Sequence, residues 1–134
     1  MSGLPAILLY AYALVIGLAL GSFTTCVVYR IPRGLSIWRN DKSSAAYRSF
    51  CPQCKAPLTI LDLVPVFSWL ALRGRCRHCG HPIGVSYLLI EIGVTAAVLG
   101  ITACFGFSVT SLLLWAAIPA GAGLWAFFVL KPRL

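Results

Sequence analysis

The chain has 134 residues, of which 60% are hydrophobic, and a mean hydropathy of +0.90. These values exclude an ordinary soluble domain and a disordered one, and they place the chain in a bilayer. Its 11 Lys and Arg against 3 Asp and Glu give a net charge of +8, a balance that in a soluble protein would raise nucleic acid as a partner.

Residues 4–29 begin the chain with an uncharged apolar run long enough to cross roughly 30 Å of hydrocarbon. No basic residue precedes it and it exceeds the usual apolar core of a signal peptide, so a retained first transmembrane helix is expected. Tyr10 and Tyr12 suit the outer interface, and Tyr29 with Arg30 ends the span at headgroup level.

Residues 30–85 turn polar and are punctuated by Pro32, Gly34, Pro52, Pro57, Pro65, Gly74, Gly80, Pro82 and Gly84, a density of breakers that excludes a long helix. Within them, Cys51-Pro52-Gln53-Cys54 and Cys76-Arg77-His78-Cys79 form two Cys-x-x-Cys knuckles. Each such turn presents two thiolates, and two turns at this separation match the four-sulfur spacing of a structural zinc site. The alternative is four reduced thiols without metal. Four sulfurs would fill the tetrahedron and leave no position for substrate, so Zn2+ held by Cys51, Cys54, Cys76 and Cys79 is expected to be structural. His78 and His81 are then solvated or supporting groups rather than ligands. Cys26 and Cys104 lie in apolar runs and read as small hydrophobes. Between the knuckles, residues 58–72 are apolar but too short and interrupted to span. They are expected on the membrane surface or over the metal site, with Trp69 at the interface. Residues 39–48 are the most linker-like stretch.

Residues 87–107 and 108–130 supply two further apolar runs joined by a short turn near Gly106, the first carrying a single acid, Glu91. The fold class expected is an all-α membrane protein: three transmembrane helices, with a small zinc-ribbon-like loop domain between helices 1 and 2. Gly121 and Gly123, with nearby alanines, give the third helix small residues on which a helix can pack. The charges orient this arrangement. No Lys or Arg precedes Arg30, nine fall from Arg30 to Arg77, and Lys131 and Arg133 close the chain. All can occupy one membrane face, which the positive-inside rule makes cytoplasmic, leaving the N-terminus outside. That compartment is reducing, which favours metal thiolates over disulfides. Topology thus accounts for the basic residues, and no nucleic-acid partner is expected.

Gly21-Ser22-Phe23, Tyr29-Arg30-Ile31-Pro32, the first knuckle, the run Asp62 to Leu70, Arg73-Gly74-Arg75 with the second knuckle, Pro82-Ile83 and Tyr87 to Glu91 form an ordered series. In this order and spacing the chain resembles the N-terminal domain of bacterial type IV prepilin peptidases, leader peptidases and N-methyltransferases of pilus and type II secretion systems. The resemblance covers residues 17–100. It implies an inner-membrane protein acting on prepilins or pseudopilins, S-adenosylmethionine as methyl donor, and peptide cleavage by two aspartates in a separate set of membrane helices. Those aspartates are absent here, since the only acids are Asp41, Asp62 and Glu91. The expected role is prepilin maturation, by N-methylation of processed pilin or by pairing with a separate membrane aspartyl peptidase subunit.

By resemblance, Asp62 falls at an acidic position tied to methyl transfer, where a carboxylate can hold the pilin amino group or accept its proton. The alternative is an Asp capping a short helical segment. Glu91 is a second candidate for substrate contact, or a structural partner of Arg30 or another loop cation. Two departures weaken the methyl-transfer assignment: Val85-Ser86 stands where many members carry a Gly-Lys pair, with Leu88 in place of a proline, and Thr25 stands where Asn is frequent. A non-enzymatic scaffold or assembly factor of the family is the competing expectation.

Overall fold

The computed structural model describes residues 5–34 and 49–130, so the linker-like stretch 39–48 and the terminal basic residues lie outside the described residues. Helix α1 spans Ala6–Arg30 and tightens into a 3-10 turn at Ile31–Arg33, with Gly34 closing it at φ 65°. Pro5 precedes the helix, where its missing N–H is no loss, and its carbonyl accepts the N–H of Leu8. A 3-10 turn at Leu61–Leu63 and the short helix α2, Phe67–Ala71, follow in the loop. Helices α3, Val85–Phe105, and α4, Val109–Val129, complete the order. The described residues contain no β-strand, only two isolated bridges. Three helices, α1 with its 3-10 extension, α3 and α4, are long and apolar enough to cross a membrane, and the all-α expectation is met.

Helix α1 is the centre of the bundle. It packs along α3 most extensively and along α4 less so, while α3 and α4 touch each other little. Lipid tails are as apolar as leucine, so close van der Waals approach, rather than exclusion from water, must hold such helices together. The buried stripe of α1 runs Ala13, Gly17, Gly21, Thr24 and Val27, a small-residue seam containing the spacing Gly-x-x-x-Gly. A Cβ on Gly17 would lie 3.0 Å from the Cα of Thr95, and one on Gly21 would lie 2.9 Å from the Cα of Glu91. Backbone meets backbone at both points. Ala13, Val94, Val98 and Trp115 fill the core beyond them. Thr24, Thr95 and Thr102 are buried in this apolar surrounding, and each donates its hydroxyl to the carbonyl four residues earlier, so none is left unpaired.

Gly123 of α4 is also spent internally, since a Cβ there would meet Val27 Cγ1 at 2.8 Å and Ile31 Cδ1 at 3.0 Å. Only the Gly121 side of the small-residue face stays open. The α3–α4 hairpin turns at Gly106, whose φ of 63° and ψ of −159° suit glycine. Ser108 then caps α4 by accepting the N–H of Ser111, and the Ser111 hydroxyl donates to the carbonyl of Gly106 at 2.6 Å.

Because a side chain at Gly21 must displace backbone, Gly21→Leu is expected to destabilise the bundle by about 1–3 kcal/mol. Gly93→Leu, at a position with nothing within 4 Å of an added Cβ, is expected to leave Tm in detergent unchanged. Equal losses from the two substitutions would remove the close-packing account.

Candidate metal centre and adjoining cleft

The two knuckles are built alike. In the first, Lys55 N–H donates to the carbonyl of Cys51 and Cys51 N–H to that of Ala56. In the second, Gly80 N–H donates to Cys76 and Cys76 N–H to His81. Isolated bridges close both, Phe50 with Pro57 and Arg75 with Pro82. The turn needs a left-handed residue just after its second cysteine: Gly80 provides it freely at φ 69°, and Lys55 adopts it at φ 59°.

Six free thiols are present, and four of them converge. Sγ of Cys51 lies 3.9 Å from that of Cys79, and Sγ of Cys54 lies 4.0 Å from that of Cys76. All four sulfurs lie within 4.8 Å of one another, with one member of each knuckle buried and one exposed. A tetrahedron with metal–sulfur bonds of about 2.3 Å has edges of about 3.8 Å, so the two cross-knuckle pairs already fit a zinc ion. The thiols also fit it chemically. Backbone N–H groups of Cys79 and His78 hold the Cys76 thiol down to about 6. Cys79 is pushed up to about 11: the backbone N–H of His81 lowers it, but desolvation and the other three sulfurs outweigh that. Four thiolates in one place need a cation to offset their repulsion. His78 and His81 are exposed and contribute no ring nitrogen to the cluster.

Asp62, at the last full turn before α2, is held from three sides. Its Oδ2 accepts the Thr59 N–H at 3.0 Å and the Thr59 hydroxyl at 2.7 Å, and its Oδ1 accepts Arg77 Nε at 2.9 Å. An acid reaching back three residues to a Thr N–H is half of a capping box. The Arg77 bond adds a tie to the second knuckle, so this carboxylate joins the apolar segment to the metal loop. The Thr59 hydroxyl, with the Arg77 guanidinium beside it, holds the carboxyl below its ordinary value of 3.8.

Glu91 lies in α3, and its Oε2 accepts the backbone N–H of Val66 at 2.7 Å. Trp69 is half-buried in the loop. Its ring packs on Gly74, whose lack of a side chain makes room, and its Nε1 donates to the carbonyl of Ile83 at 3.3 Å. It faces inward because that carbonyl is the partner the indole N–H finds. Between these parts and the Arg30 end of α1 lies a cleft of about 800 Å3. Ser22, Thr25 and Tyr29 line it from α1, Asp62 and Trp69 from the loop, and Tyr87 and Glu91 from α3. Thr25 is committed to its own helix, donating to the carbonyl of Gly21 at 3.0 Å. Both acids picked out in the sequence thus border one cavity, and Cys51 and Cys76 form part of its wall.

These features define a helical membrane protein with a cysteine-clamped loop that could hold a metal ion. The chain belongs to the Bacterial Peptidase A24 N-terminal domain family, whose match covers residues 15–105. It is similar to a prepilin leader peptidase/N-methyltransferase of Burkholderia pseudomallei strain 1026b, at 38% identity over 144 residues, covering 94% of this chain and 43% of that protein. Proteins of the same name in Myxococcus xanthus and Vibrio cholerae are 44% and 40% identical over 81 residues, covering 60% and 58% of this chain and 22% and 31% of theirs. The chain therefore spans less than half the length of these relatives. No solved structure matches it.

Removing the three bonds of Asp62 by Asp62→Ala is expected to cost about 1–2 kcal/mol, given that Arg77 is half exposed. The carboxyl is lowered by folding, so its contribution is complete at neutral pH and lost as pH falls below about 3.8. The difference in Tm between native chain and Asp62→Asn should accordingly shrink below that pH; a difference that persists there would contradict the ion pair.

Proposed function

We propose that this chain is the zinc-clamped domain of an inner-membrane system that matures prepilins or pseudopilins for type IV pili or type II secretion. The observation that carries this reading is the cleft. It lies between a four-sulfur cluster and the helices long and apolar enough to cross a membrane, and would there receive the processed N-terminus of a membrane-anchored substrate. In this reading Zn2+ is structural, with Cys51, Cys54, Cys76 and Cys79 as ligands. The loop and the C-terminus are cytoplasmic and the N-terminus lies outside, in keeping with the distribution of Lys and Arg.

The cleft would take the amino end of the processed pilin together with S-adenosylmethionine, the methyl donor. The attacking nitrogen must lose a proton before it can accept the methyl group. Asp62 or Glu91 is the group to hold the amine and take that proton, and both border the cavity. Peptide cleavage is assigned to aspartates outside these 134 residues, for which a separate membrane aspartyl peptidase subunit is one source. A second reading is supported by the bonding of the acids: Thr59, Arg77 and the Val66 N–H already engage them, as a scaffold without chemistry would require.

Purified chain is expected to carry one zinc per polypeptide by elemental analysis, with the metal lost on Cys51→Ser and on Cys76→Ser alike. Vesicles containing the chain, labelled S-adenosylmethionine and a processed pilin peptide should show methyl incorporation that either Asp62→Asn or Glu91→Gln abolishes. If no methyl is transferred, and no aspartyl peptidase co-purifies with the chain, the maturation reading fails.

A further inference from the structure

The segment between the knuckles reaches down beside α3. Glu91 is the seventh residue of that helix, which at 1.5 Å per residue puts it about 9 Å along the axis from Val85. Its carboxylate accepts the Val66 N–H, so the turn Pro65–Val66–Phe67 is fixed at that depth. The turn is unusually tight: Phe67 N–H donates to the carbonyl of Pro65 at 2.5 Å, around a Val66 with φ 61° and ψ −51°. This is a γ-turn of the strained, positive-φ hand, in which a β-branched residue is a rare occupant. Strain of this kind persists only where the surroundings over-determine it.

Glu91 is the element that does so. Outside a helix, a backbone N–H at membrane depth is tolerated only when protein satisfies it, and an orphan there costs several kcal/mol. The only acid in α3 meets that requirement for Val66. Meanwhile the side chains around the turn face away from the protein: Phe67 is 63% exposed, Leu61 69%, Leu70 56% and Ile60 85%. On α3, Leu89 and Ile92 are exposed as well. Lys55, Arg73, Arg75 and Arg77 flank the segment on both sides and are exposed, the complement of anionic lipid headgroups.

We propose that residues 60–70 form a re-entrant element whose Phe67 side enters the hydrocarbon of the bilayer, hooked at depth by Glu91 to the Val66 N–H. Glu91 is then a positioning residue for one wall of the cleft. The occupant of the exposed apolar face is lipid.

The test places 4-trifluoromethylphenylalanine at position 67 of the full chain in nanodiscs of mixed zwitterionic and anionic phospholipid. Fluorine resonance broadening by dissolved oxygen, which concentrates in hydrocarbon, is compared with broadening by a water-soluble nickel chelate. The same probe at positions 113 and 78 gives the lipid and water references. Oxygen is expected to dominate at position 67 as at position 113. Dominance of the nickel chelate at position 67 in the native background overturns insertion, and is the outcome if the face awaits a protein partner. In Glu91→Leu the position 67 probe is expected to turn toward the nickel chelate, while Glu91→Gln, which keeps an acceptor, holds it in lipid. An unchanged position 113 probe reports that the bundle is intact. A position 67 probe that stays in lipid in Glu91→Leu overturns the hook.

Discussion

The close approach of α1 and α3 at Gly21 is the constraint on which the rest of the structure depends. With no side chain between them, the backbone of Glu91 lies against that of α1, and the position of one helix fixes that of the other. The Glu91 carboxylate then leaves this contact for the loop and accepts the Val66 N–H. A single residue thus belongs to the tightest helix contact and to a bond between the bundle and the loop. The cleft lies between its two attachments, so its width is set by the Gly21 contact on one side and by the reach of a glutamate on the other.

The metal centre and the chemistry of the cleft make different demands on the loop. A four-sulfur site is closed: it fixes geometry and offers no vacant position to a substrate. Any proton transfer must then come from other groups, and the two carboxylates that border the cleft are already bonded. Asp62 accepts three hydrogen bonds within the loop, which orient its carboxylate firmly while competing with any amine. A general base needs that orientation, and a scaffold needs nothing further. The same three bonds are consistent with both, which is why the departures at Val85-Ser86 and Leu88 bear directly on the choice between them.

Much of this was legible in the sequence because it rests on composition and local spacing. The three apolar runs required only length, and the four-cysteine cluster required only two knuckles at a workable separation. Lys55 in a left-handed turn was not legible, since its equivalence to Gly80 emerges only once both knuckles adopt the same hydrogen-bonded turn. Gly17 and Gly21 carry a readable signal, the Gly-x-x-x-Gly spacing, which the fold shows to be the seam of the bundle. The contacts of Trp69 were not legible either, since only the fold shows that Gly74 leaves a slot for the ring and that the Ile83 carbonyl accepts the indole N–H. The bond from Glu91 to Val66 had no sequence signal at all, because an acid can meet any backbone N–H that the fold brings near.

The loop also lacks the means to fold by burial alone. Between residues 49 and 84 the only buried positions are Cys51, Gly74 and Cys76, so two of the three are candidate sulfur ligands and the third has no side chain. Six of its large apolar residues, Ile60, Leu61, Leu63, Val64, Phe67 and Leu70, are exposed, and a segment with so little buried requires another source of order. Two sources stand out: the four-cysteine cluster, where the binding free energy of a metal would be folding free energy, and the Glu91 bond to the bundle. Each constrains a different part, the knuckles in one case and the apolar turn in the other, with the Asp62 and Arg77 pair connecting them. With a metal bound to the cluster, as proposed, its removal should release the knuckles before the turn, because the turn is also tied to a helix that the cluster does not hold.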